Sequence, residues 1–285
     1  MENNSTHSSR AWLTALNPPI YLVSVLPGLG VLLLAQGPVV HPVGLVLATL
    51  GVVLLQHAIN LFNDAADWRL GADLEKYDSW VRVHAERPSI AVRHGLLSLL
   101  AGGLVGLAVL WQQQQWWILL IAVPMVGLGY LYNAGERPLS YTHLGEWVTG
   151  ICYGPGVFGC LWLVGGLAPG VAMLAGMIAF AALAVALLLS HQPPQIETDR
   201  RAGKRSFAVR FGERRTLFVA RLLFVVFLVS LTVAMPGSAL PSKVAIAACA
   251  VGLGIWMARG RLNPKRILLG ASAFILLGLL VAGGY

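Results

Sequence analysis

The stretch "NLFNDAADWRLGAD", residues 60–73, places three aspartates and two asparagines directly after a long run of Val, Leu, Ala and Gly. Apolar runs long enough to cross a hydrocarbon core of about 30 Å recur along the whole chain. The 285 residues are 57% hydrophobic and only 11% charged, with a mean hydropathy of +0.72. This composition lies outside the range of soluble globular domains, so the sequence predicts an all-α integral membrane protein.

Breaks at Pro, Gly and charged residues divide the apolar runs into candidate transmembrane helices. The polar opening, residues 1–11, lacks the basic start and the cleavage site of a signal peptide, so we expect the first run to remain as a helix. We interpret residues 1–285 as a single transmembrane domain with motif-bearing cytoplasmic loops at 64–94 and 192–215. The nine predicted helices cover residues 12–35, 43–63, 95–111, 116–132, 143–165, 170–191, 216–234, 243–258 and 267–284.

Charge is distributed unequally across this nine-helix arrangement. Eighteen of the 20 Lys and Arg residues fall on the side of the N-terminus, which predicts a multi-pass protein of the cell (inner) membrane with a cytoplasmic N-terminus. All twelve acids fall on that side too, although Asp and Glu contribute little to orientation. We therefore expect the active site on the cytoplasmic face. The net charge of +8 is a topology signal and not evidence for a nucleic-acid partner, and the oligomeric state stays unknown.

The two long cytoplasmic connections follow the second and the sixth predicted helix. An offset of four helices makes the two halves parallel helical-bundle units. Each unit carries an acidic motif at the cytoplasmic end of its second helix. We expect the two units to enclose a central cavity that opens to the cytoplasmic side.

The first acidic motif has helical spacing. Asn60, Asp64 and Asp67 stand at i, i+4 and i+7, so a helix brings them onto one face, and Gly71 lets the chain turn back toward that face. Mg²⁺ takes oxygen ligands and commonly uses one or two carboxylates together with water and substrate phosphate. A solvated charged cap is the alternative, but six of the twelve acids lie between residues 64 and 86, which argues against it. The candidate magnesium ligands are Asn60, Asn63, Asp64, Asp67 and Asp73.

The second motif is "HQPPQIETDRRAGKRS", residues 191–206. Polar side chains recur at four-residue intervals, on a helix that the Pro-Pro pair must interrupt. A broken helix at membrane depth requires protein or a water-filled cavity around it. Two acidic motifs flanked by cations predict a binding site for a metal-bound diphosphate. The candidate residues of this motif are His191, Gln195, Asp199, Lys204 and Arg205.

These motifs resemble those of a known family. "NDAADWRLGAD" resembles the first Asp-rich motif of the UbiA-type membrane prenyltransferases, and its spacing is most similar to the menaquinone branch that prenylates 1,4-dihydroxy-2-naphthoate. "YNAGERPLSYTHLGE", residues 132–146, with Gly154-Pro155 after it, resembles a second segment of that branch. "QIETDRRAGKRSFAVRFG", residues 195–212, resembles its second Asp-rich motif and the tail that follows.

The second motif departs from the family pattern. Gln195 stands where the family usually has Asp, and Ser206 and Phe207 replace the usual Thr-Leu. A neutral amide offers one oxygen to a metal but holds no negative charge. Either the second metal position is weakened, or the chain is a divergent member with a different acceptor or activity.

The resemblance implies Mg²⁺-dependent transfer of a prenyl group from a polyprenyl diphosphate to a small aromatic or lipid acceptor, most simply in quinone biosynthesis. Asp64, Asp67 and Asp199 would hold the metal and act in catalysis together with Glu146. The residues expected to support the metal are Asp73, Asn60 and Asn63, and the cations expected to bind diphosphate are Lys204, Arg87, Arg137 and Arg205.

Aromatic side chains near the cytoplasmic helix ends could stabilise an allylic cation, or they could form the interfacial belt of a membrane protein. Glu146 could orient the acceptor or take a ring proton, or it could be the structural partner of a loop arginine. The residues expected to line the substrate pocket are Tyr130, Tyr132, Tyr141, Trp147, Gln195 and His191.

Two other functions are open. A UbiA-like terpene cyclase, or prenyl transfer to a non-aromatic lipid, would use the same diphosphate site. A cation-gated transporter or a lipid-binding protein would place charges through the bilayer midplane, where this sequence has few. His57, His84 and His94 are expected to be packed or solvated, without a role, because lone histidines are seldom ligands.

Overall fold

The computed structural model describes residues 12–35, 37–74, 76, 78–235, 269–274 and 276–278, and all regular structure within these residues is helical. Seven of the described helices are long and apolar enough to cross a membrane. They are α1 (Trp12–Leu34), α2 (Pro42–Leu70), α3 (Pro88–Gln113), α4 (Trp116–Asn133), α5 (Gly145–Val164), α6 (Val171–His191) and α7 (Phe207–Ala234). The predicted all-α membrane architecture is therefore confirmed for this part of the chain. The predicted span 243–258 lies outside the described residues, and 267–284 is described only at 269–274 and 276–278, which are helical.

The first acidic motif lies on a helix and not in a loop. α2 continues through both aspartates to Leu70 and ends at Gly71, whose φ of 85° is the left-handed conformation that glycine adopts at helix C-termini. α3 begins at Pro88, because proline fits the first turn of a helix, where its missing N–H is not needed. The predicted loop 64–94 is thus wrong in its bounds, and the connection is 71–87. Polar residues of α2 face a cavity, so they do not end the helix.

The second connection is also shorter than predicted. α6 ends at His191, and the Pro-Pro pair starts a 3₁₀ turn, Pro193–Gln195, that leads into the short helix Ile196–Arg201. α7 then begins at Phe207 and kinks at Gly212, whose φ is 78°. The interruption of the helix by proline is confirmed, and the connection covers 192–206 where 192–215 was predicted.

α5 is irregular in its middle. Residues Cys152–Gly159 form a π-helix that contains Pro155. Proline removes one backbone donor and disturbs the α-helical ladder, and π-helical turns occur often beside functional sites. This segment packs against α6.

The largest apolar cluster joins α1, α5, α6 and α7. Phe158 and Phe180 stack with ring centroids 5.0 Å apart, and Phe180 meets the edge of Phe227 at 5.9 Å. α2 packs mainly against α3, and a small-residue contact brings the two backbones together. A Cβ atom built on Gly102 would lie 2.8 Å from the carbonyl oxygen of Gly51.

The contact at Gly102 yields a stability prediction. Gly102→Leu should lower the free energy of unfolding by about 1–3 kcal/mol, because the side chain has no room between α2 and α3. Gly103→Leu is the matched control, since a Cβ atom there meets nothing within 4 Å. Thermal unfolding in detergent measures both variants. Equal losses of thermal stability would show that close packing at Gly102 is not what joins these helices.

Candidate active site

A central cavity of about 270 Å³ lies between α1, α2, α5, α6 and the two motif-bearing connections. Both acidic motifs reach it, since Asp64 and Asp199 lie on the same cavity wall. The sequence-predicted residues that line this cavity are Asn60, Asn63, Asp64, Asp67, Tyr132, Glu146, His191, Gln195, Asp199 and Lys204.

A lysine joins the two motifs. The Nζ atom of Lys204 lies 3.3 Å from Asp67 Oδ2 and 3.9 Å from Asp199 Oδ1. Burial alone would lower the pKa of Lys204, but the two carboxylates outweigh it, so the pKa lies above its usual value. Carboxylates from distant parts of the sequence therefore converge on one cation position.

Asp67 and Asp199 are each held by further hydrogen bonds. The Tyr141 hydroxyl donates to Asp67 Oδ1 at 2.8 Å, and burial together with this carboxylate raises the pKa of Tyr141. The Ser206 hydroxyl donates to Asp199 Oδ2 at 3.0 Å. Burial raises the pKa of Asp199, and Lys204 opposes that rise. Gly203, with φ 75°, turns the chain so that Lys204 returns to the aspartate of its own motif.

Asp64 binds two residues of the first connection and so holds it against α2. Its Oδ2 accepts a hydrogen bond from the Trp80 backbone N–H at 2.7 Å, and its Oδ1 lies 2.9 Å from the Nζ atom of Lys76. The same ammonium lies 2.9 Å from Asp73 Oδ2, so Asp73 does return toward the motif. Burial raises the pKa of Asp73, whereas Lys76 lowers it. Burial alone would lower the pKa of Lys76, but its two carboxylate partners raise it more.

Glu146, at the start of α5, lies between the central cavity and an outer groove. Its Oε1 accepts hydrogen bonds from Gln192 Nε2 at 3.0 Å and from the Phe207 backbone N–H at 2.8 Å. Its Oε2 is buried without a hydrogen-bond partner in the described chain, and a guanidinium nitrogen of Arg210 is 3.9 Å away. One oxygen of this carboxylate thus closes the second connection onto α5, and the other is ion-paired with Arg210 but accepts no hydrogen bond within the described residues.

A second cavity, of about 280 Å³, continues from the first between α2, α3, α4 and α5. Its wall is mainly apolar, with Val52, Leu55 and Met125 among its residues. The wall residues common to both cavities are Gln56, Ile59, Asn60, Tyr132 and Tyr153. A polar chamber at the motif ends of the helices therefore adjoins an apolar chamber deeper in the helix bundle.

Two of the predicted pocket aromatics lie elsewhere. Tyr130 is 47% exposed and contacts Phe62, and Trp147 is 71% exposed on the outer groove. Side chains two residues apart on a helix point about 200° apart, so Tyr132 and Tyr130 cannot face the same cavity. Trp147 follows Glu146 directly, so its side chain is rotated by about 100° from that of Glu146 and does not line the central cavity. Neither Tyr130 nor Trp147 therefore lines the central cavity.

The three predicted arginines do not line the cavity either. Arg87, Arg137 and Arg205 are exposed, and Arg205 contacts the site only through its backbone N–H, which donates to the Tyr141 carbonyl at 3.0 Å. Arginine side chains in short connections point to water unless a buried acid receives them. In their place the cavity holds Lys76, which sequence reasoning used only as a topology signal. Its position three residues after Asp73 was the available clue.

Sequence reasoning also missed residues that hydrogen-bond to the acids of the site. The Trp80 backbone N–H donates to Asp64, Gln192 donates to Glu146, and Ser206 donates to Asp199. Two further residues that it missed lie on the cavity wall, Ser140 and Tyr153.

The oxygen donors fit a metal that arrives with an anionic ligand. Across the described ranges, no three His, Cys, Asp or Glu side chains are placed to hold a metal ion by themselves. Asp67 and Asp199 nevertheless present carboxylate oxygens to one cation position. Mg²⁺ commonly binds through one or two carboxylates and takes its other ligands from phosphate and water. Asp67 and Asp199, with Asp64 beside them, meet that requirement.

The chain is similar in sequence to a known family and to characterised enzymes. The model of the UbiA prenyltransferase family matches residues 22–280. The chain is 27% identical over 175 residues to the 1,4-dihydroxy-2-naphthoate octaprenyltransferase of Bacillus subtilis, which covers 60% of this chain and 56% of that protein. It is 30% identical over 210 residues to the 2-carboxy-1,4-naphthoquinone phytyltransferase of Synechocystis, covering 72% and 67%. The matched stretches thus span between about half and two thirds of these relatives.

A solved structure shares the fold over nearly the whole chain. The UbiA homologue from Archaeoglobus fulgidus, bound to DMAPP and Mg²⁺, superposes with a TM-score of 0.66 at 18% identity. The match covers 95% of this chain and 97% of the other. At this identity the likeness concerns the fold.

The ion pairs of Lys204 yield a second stability prediction. Lys204→Met should lower the free energy of unfolding by about 3 kcal/mol, because it leaves two buried carboxylates without their cation. Arg200→Met is the control, since its ion pair with Glu197 is exposed and contributes little. Chemical denaturation in detergent, without divalent cations, compares the two. Equal midpoints would show that Lys204 does not neutralise the cavity.

Proposed function

Because the chain belongs to the UbiA prenyltransferase family, we propose that it transfers a prenyl group from a polyprenyl diphosphate to an aromatic acceptor in a Mg²⁺-dependent reaction. The relatives that act on naphthoate compounds support an acceptor of that kind, in the biosynthesis of a quinone such as menaquinone. The observation that carries the proposal is the convergence of Asp67 and Asp199 on one cation position. A diphosphate leaving group needs such a site, since charge develops on it as its bond to carbon breaks.

We assign the metal-holding role to Asp64, Asp67 and Asp199. Asp73 supports them through Lys76, and the Asn63 amide donates to Asp67 Oδ2 at 2.7 Å. Bound Mg²⁺ would supply charge neutralisation to the departing diphosphate. In this assignment Asp64, Asp67 and Asp199 position the diphosphate through the metal and form no covalent bond with it.

Lys76 and Lys204 are the proposed diphosphate cations. Both ammonium groups face the cavity from the two connections. Each can therefore contact a phosphate oxygen while it stays close to its carboxylate partners. The exposed arginines Arg87, Arg137 and Arg205 could attract the anion at longer range, where they would raise the rate of its association. A substitution of any one of the three arginines should therefore affect turnover less than the loss of Lys204.

The apolar chamber is the proposed place of the prenyl tail. It adjoins the diphosphate chamber at Tyr132 and Tyr153, whose rings lie where the allylic carbon would be set free. Aromatic faces stabilise a cation once water is excluded. Tyr141, whose ring lies 5.1 Å from Lys204 Nζ and whose hydroxyl donates to Asp67, supports the diphosphate end of the site.

Glu146 is the proposed contact for the acceptor. Its buried Oε2, with no hydrogen-bond partner in the described part of the chain, can accept a hydrogen bond from an acceptor hydroxyl or take its proton. Gln195 and His191 line the same cavity and complete the acceptor side. Prenylation replaces a ring hydrogen: the carbon–oxygen bond to diphosphate breaks, a carbon–carbon bond forms, and the ring proton passes to a base, for which Glu146 is the proposed residue.

The complete membrane arrangement is part of the proposal. We propose nine transmembrane helices in two parallel bundle units, formed by residues 1–285 as one domain around the central cavity. The excess of Lys and Arg at the motif-bearing ends supports a cytoplasmic N-terminus and a cavity that opens to the cytoplasmic side of the inner membrane.

An acceptor-dependence assay tests the function. Purified protein is incubated with Mg²⁺ and a labelled prenyl diphosphate, with and without 1,4-dihydroxy-2-naphthoate. Release of diphosphate that requires the aromatic acceptor supports the proposal. A hydrocarbon product without acceptor would indicate a terpene cyclase, and the absence of turnover with any acceptor would favour a non-enzymatic membrane protein.

The metal assignment yields a mutational prediction. Asp64→Ala and Asp67→Ala should each reduce turnover at least about 1,000-fold, because the leaving group loses its charge stabilisation. Glu197→Gln, at an exposed ion pair, is the control and should keep full activity. Steady-state diphosphate release measures all three. Substantial activity in both alanine variants would show that these carboxylates do not hold the metal.

Gln195 separates the two explanations of its departure from the family pattern. If the amide only weakens a metal position, Gln195→Asp should lower the Mg²⁺ concentration needed for half-maximal activity, because it adds a charged ligand. If the amide recognises the acceptor, the same change should raise the KM for the acceptor. Titrations of Mg²⁺ and of the acceptor distinguish the two. Gln192→Glu is the comparison variant. It also replaces an amide with a carboxylate, but at a side chain that already hydrogen-bonds to Glu146.

A further inference from the structure

The start of α7 is not capped by its own residue. Ser206 occupies the N-cap position, where a serine hydroxyl commonly accepts a hydrogen bond from the first turn of the helix. In this structure the Ser206 side chain accepts no such bond, and its hydroxyl donates to Asp199 Oδ2 at 3.0 Å. The first N–H groups of α7 therefore depend on acceptors from other segments, because an unpaired buried N–H costs free energy.

Two side chains supply these acceptors. The Phe207 N–H donates to Glu146 Oε1 at 2.8 Å, and the Ala208 N–H donates to Gln192 Oε1 at 3.1 Å. Gln192 Nε2 in turn donates to Glu146 Oε1 at 3.0 Å. The start of α5, the residue that follows α6 and the start of α7 thus meet at one carboxylate and one amide.

The backbone fixes the orientation of the buried Gln192 amide. A backbone N–H can only donate, so the Gln192 atom that faces the Ala208 N–H is the amide oxygen. A flipped amide would set its NH₂ group against this N–H and its oxygen against the Glu146 carboxylate, and both hydrogen bonds would be lost. The amide nitrogen of Gln192 is therefore the atom that faces Glu146.

The two oxygens of Glu146 consequently differ. Oε1 accepts two hydrogen bonds, whereas Oε2 accepts none within the described residues and lies 3.9 Å from a guanidinium nitrogen of Arg210. A helix N-terminus carries partial positive charge, which favours a carboxylate at the start of α7. Since Glu146 and Gln192 both line the central cavity, these contacts set the orientation of a carboxylate on the cavity wall.

We propose that Gln192 is a positioning residue, which holds Glu146 through Oε1 at the start of α7 and leaves Oε2 as the oxygen that serves the acceptor. The inference rests on the proposed function, in which Glu146 contacts the acceptor. It adds that the contribution of Gln192 to the reaction passes through Glu146. A carboxylate without this support would act less well, because a base must be held within hydrogen-bond reach of the proton that it takes.

Two substitutions separate positioning from helix capping. Gln192→Met removes both the acceptor for the Ala208 N–H and the donor to Glu146, whereas Gln192→Glu keeps the acceptor and removes the donor. Both variants should lower kcat/KM for 1,4-dihydroxy-2-naphthoate at least about tenfold, with the KM for the prenyl diphosphate unchanged. Gln114→Met is the control and should keep wild-type kinetics, since Gln114 is exposed and its amide donates to the Trp111 carbonyl.

A Glu146→Gln background tests whether Gln192 acts through Glu146. The new amide oxygen can replace Oε1 and accept the same two hydrogen bonds, while the NH₂ group replaces Oε2. This variant should keep the thermal stability of the wild type but lose turnover about 100-fold or more. Adding Gln192→Met should then lower kcat/KM for the acceptor less than about twofold, because residues that act as a unit are not additive.

A spectroscopic measurement does not require turnover. The infrared difference between the wild type and Glu146→Gln isolates the carboxylate band of Glu146. This band should shift in Gln192→Met, because Oε1 loses one of its two hydrogen bonds. The band should keep its position in Gln114→Met.

Three results would overturn the inference. The first is wild-type acceptor kinetics in Gln192→Glu, which would show that Gln192 only caps α7. The second is an equal effect of Gln192→Met with and without Glu146→Gln, and the third is an unshifted carboxylate band in Gln192→Met. A wild type that transfers no prenyl group to an aromatic acceptor would contradict the proposed function instead. The infrared band would still report on the hydrogen bond in that case, so the two failures are distinguishable.

Discussion

The structure depends on the neutralisation of carboxylates that are buried among apolar helices. Removing a carboxylate from water costs several kcal/mol unless a cation and hydrogen bonds replace the solvent. Each of the four aspartates that are buried in the described chain contacts a lysine ammonium, either Lys76 or Lys204. Both lysines belong to connections and not to membrane helices. The connections must therefore fold back over the cavity, and this return forms the site.

Much of the architecture follows from local patterns. The predicted helices 116–132, 143–165 and 170–191 agree with α4, α5 and α6 to within two residues at each end, because proline, glycine and charge mark those ends. The helical face of the first motif follows from its spacing alone. The bounds predicted for α2 and α3 were wrong, because polar residues that face a cavity resemble a loop when only the sequence is considered. Whether such residues meet water or protein depends on tertiary structure.

The composition of the site was harder to predict than its place. Asp67 and Asp199 meet through Lys204, which the turn at Gly203 brings back to Asp199, and no spacing within either motif specifies that meeting. Tyr132 and Tyr130 looked equivalent in the sequence but differ by half a helical turn. His57, His84 and His94 lie in separate segments, and the sequence does not reveal that they pack around Trp80. Contacts between segments decided all three cases.

The wall that the two chambers share has a consequence for how the molecule can diverge. Tyr153 stands in the π-helical part of α5 and faces both the polar and the apolar chamber. Under the proposed assignment of the two chambers, a replacement there would alter the space for the hydrocarbon chain and the surroundings of the acceptor ring at the same time. Lineages that exchange one hydrocarbon length for another would then need compensating changes on the acceptor side. The two selectivities should evolve together and not as independent traits.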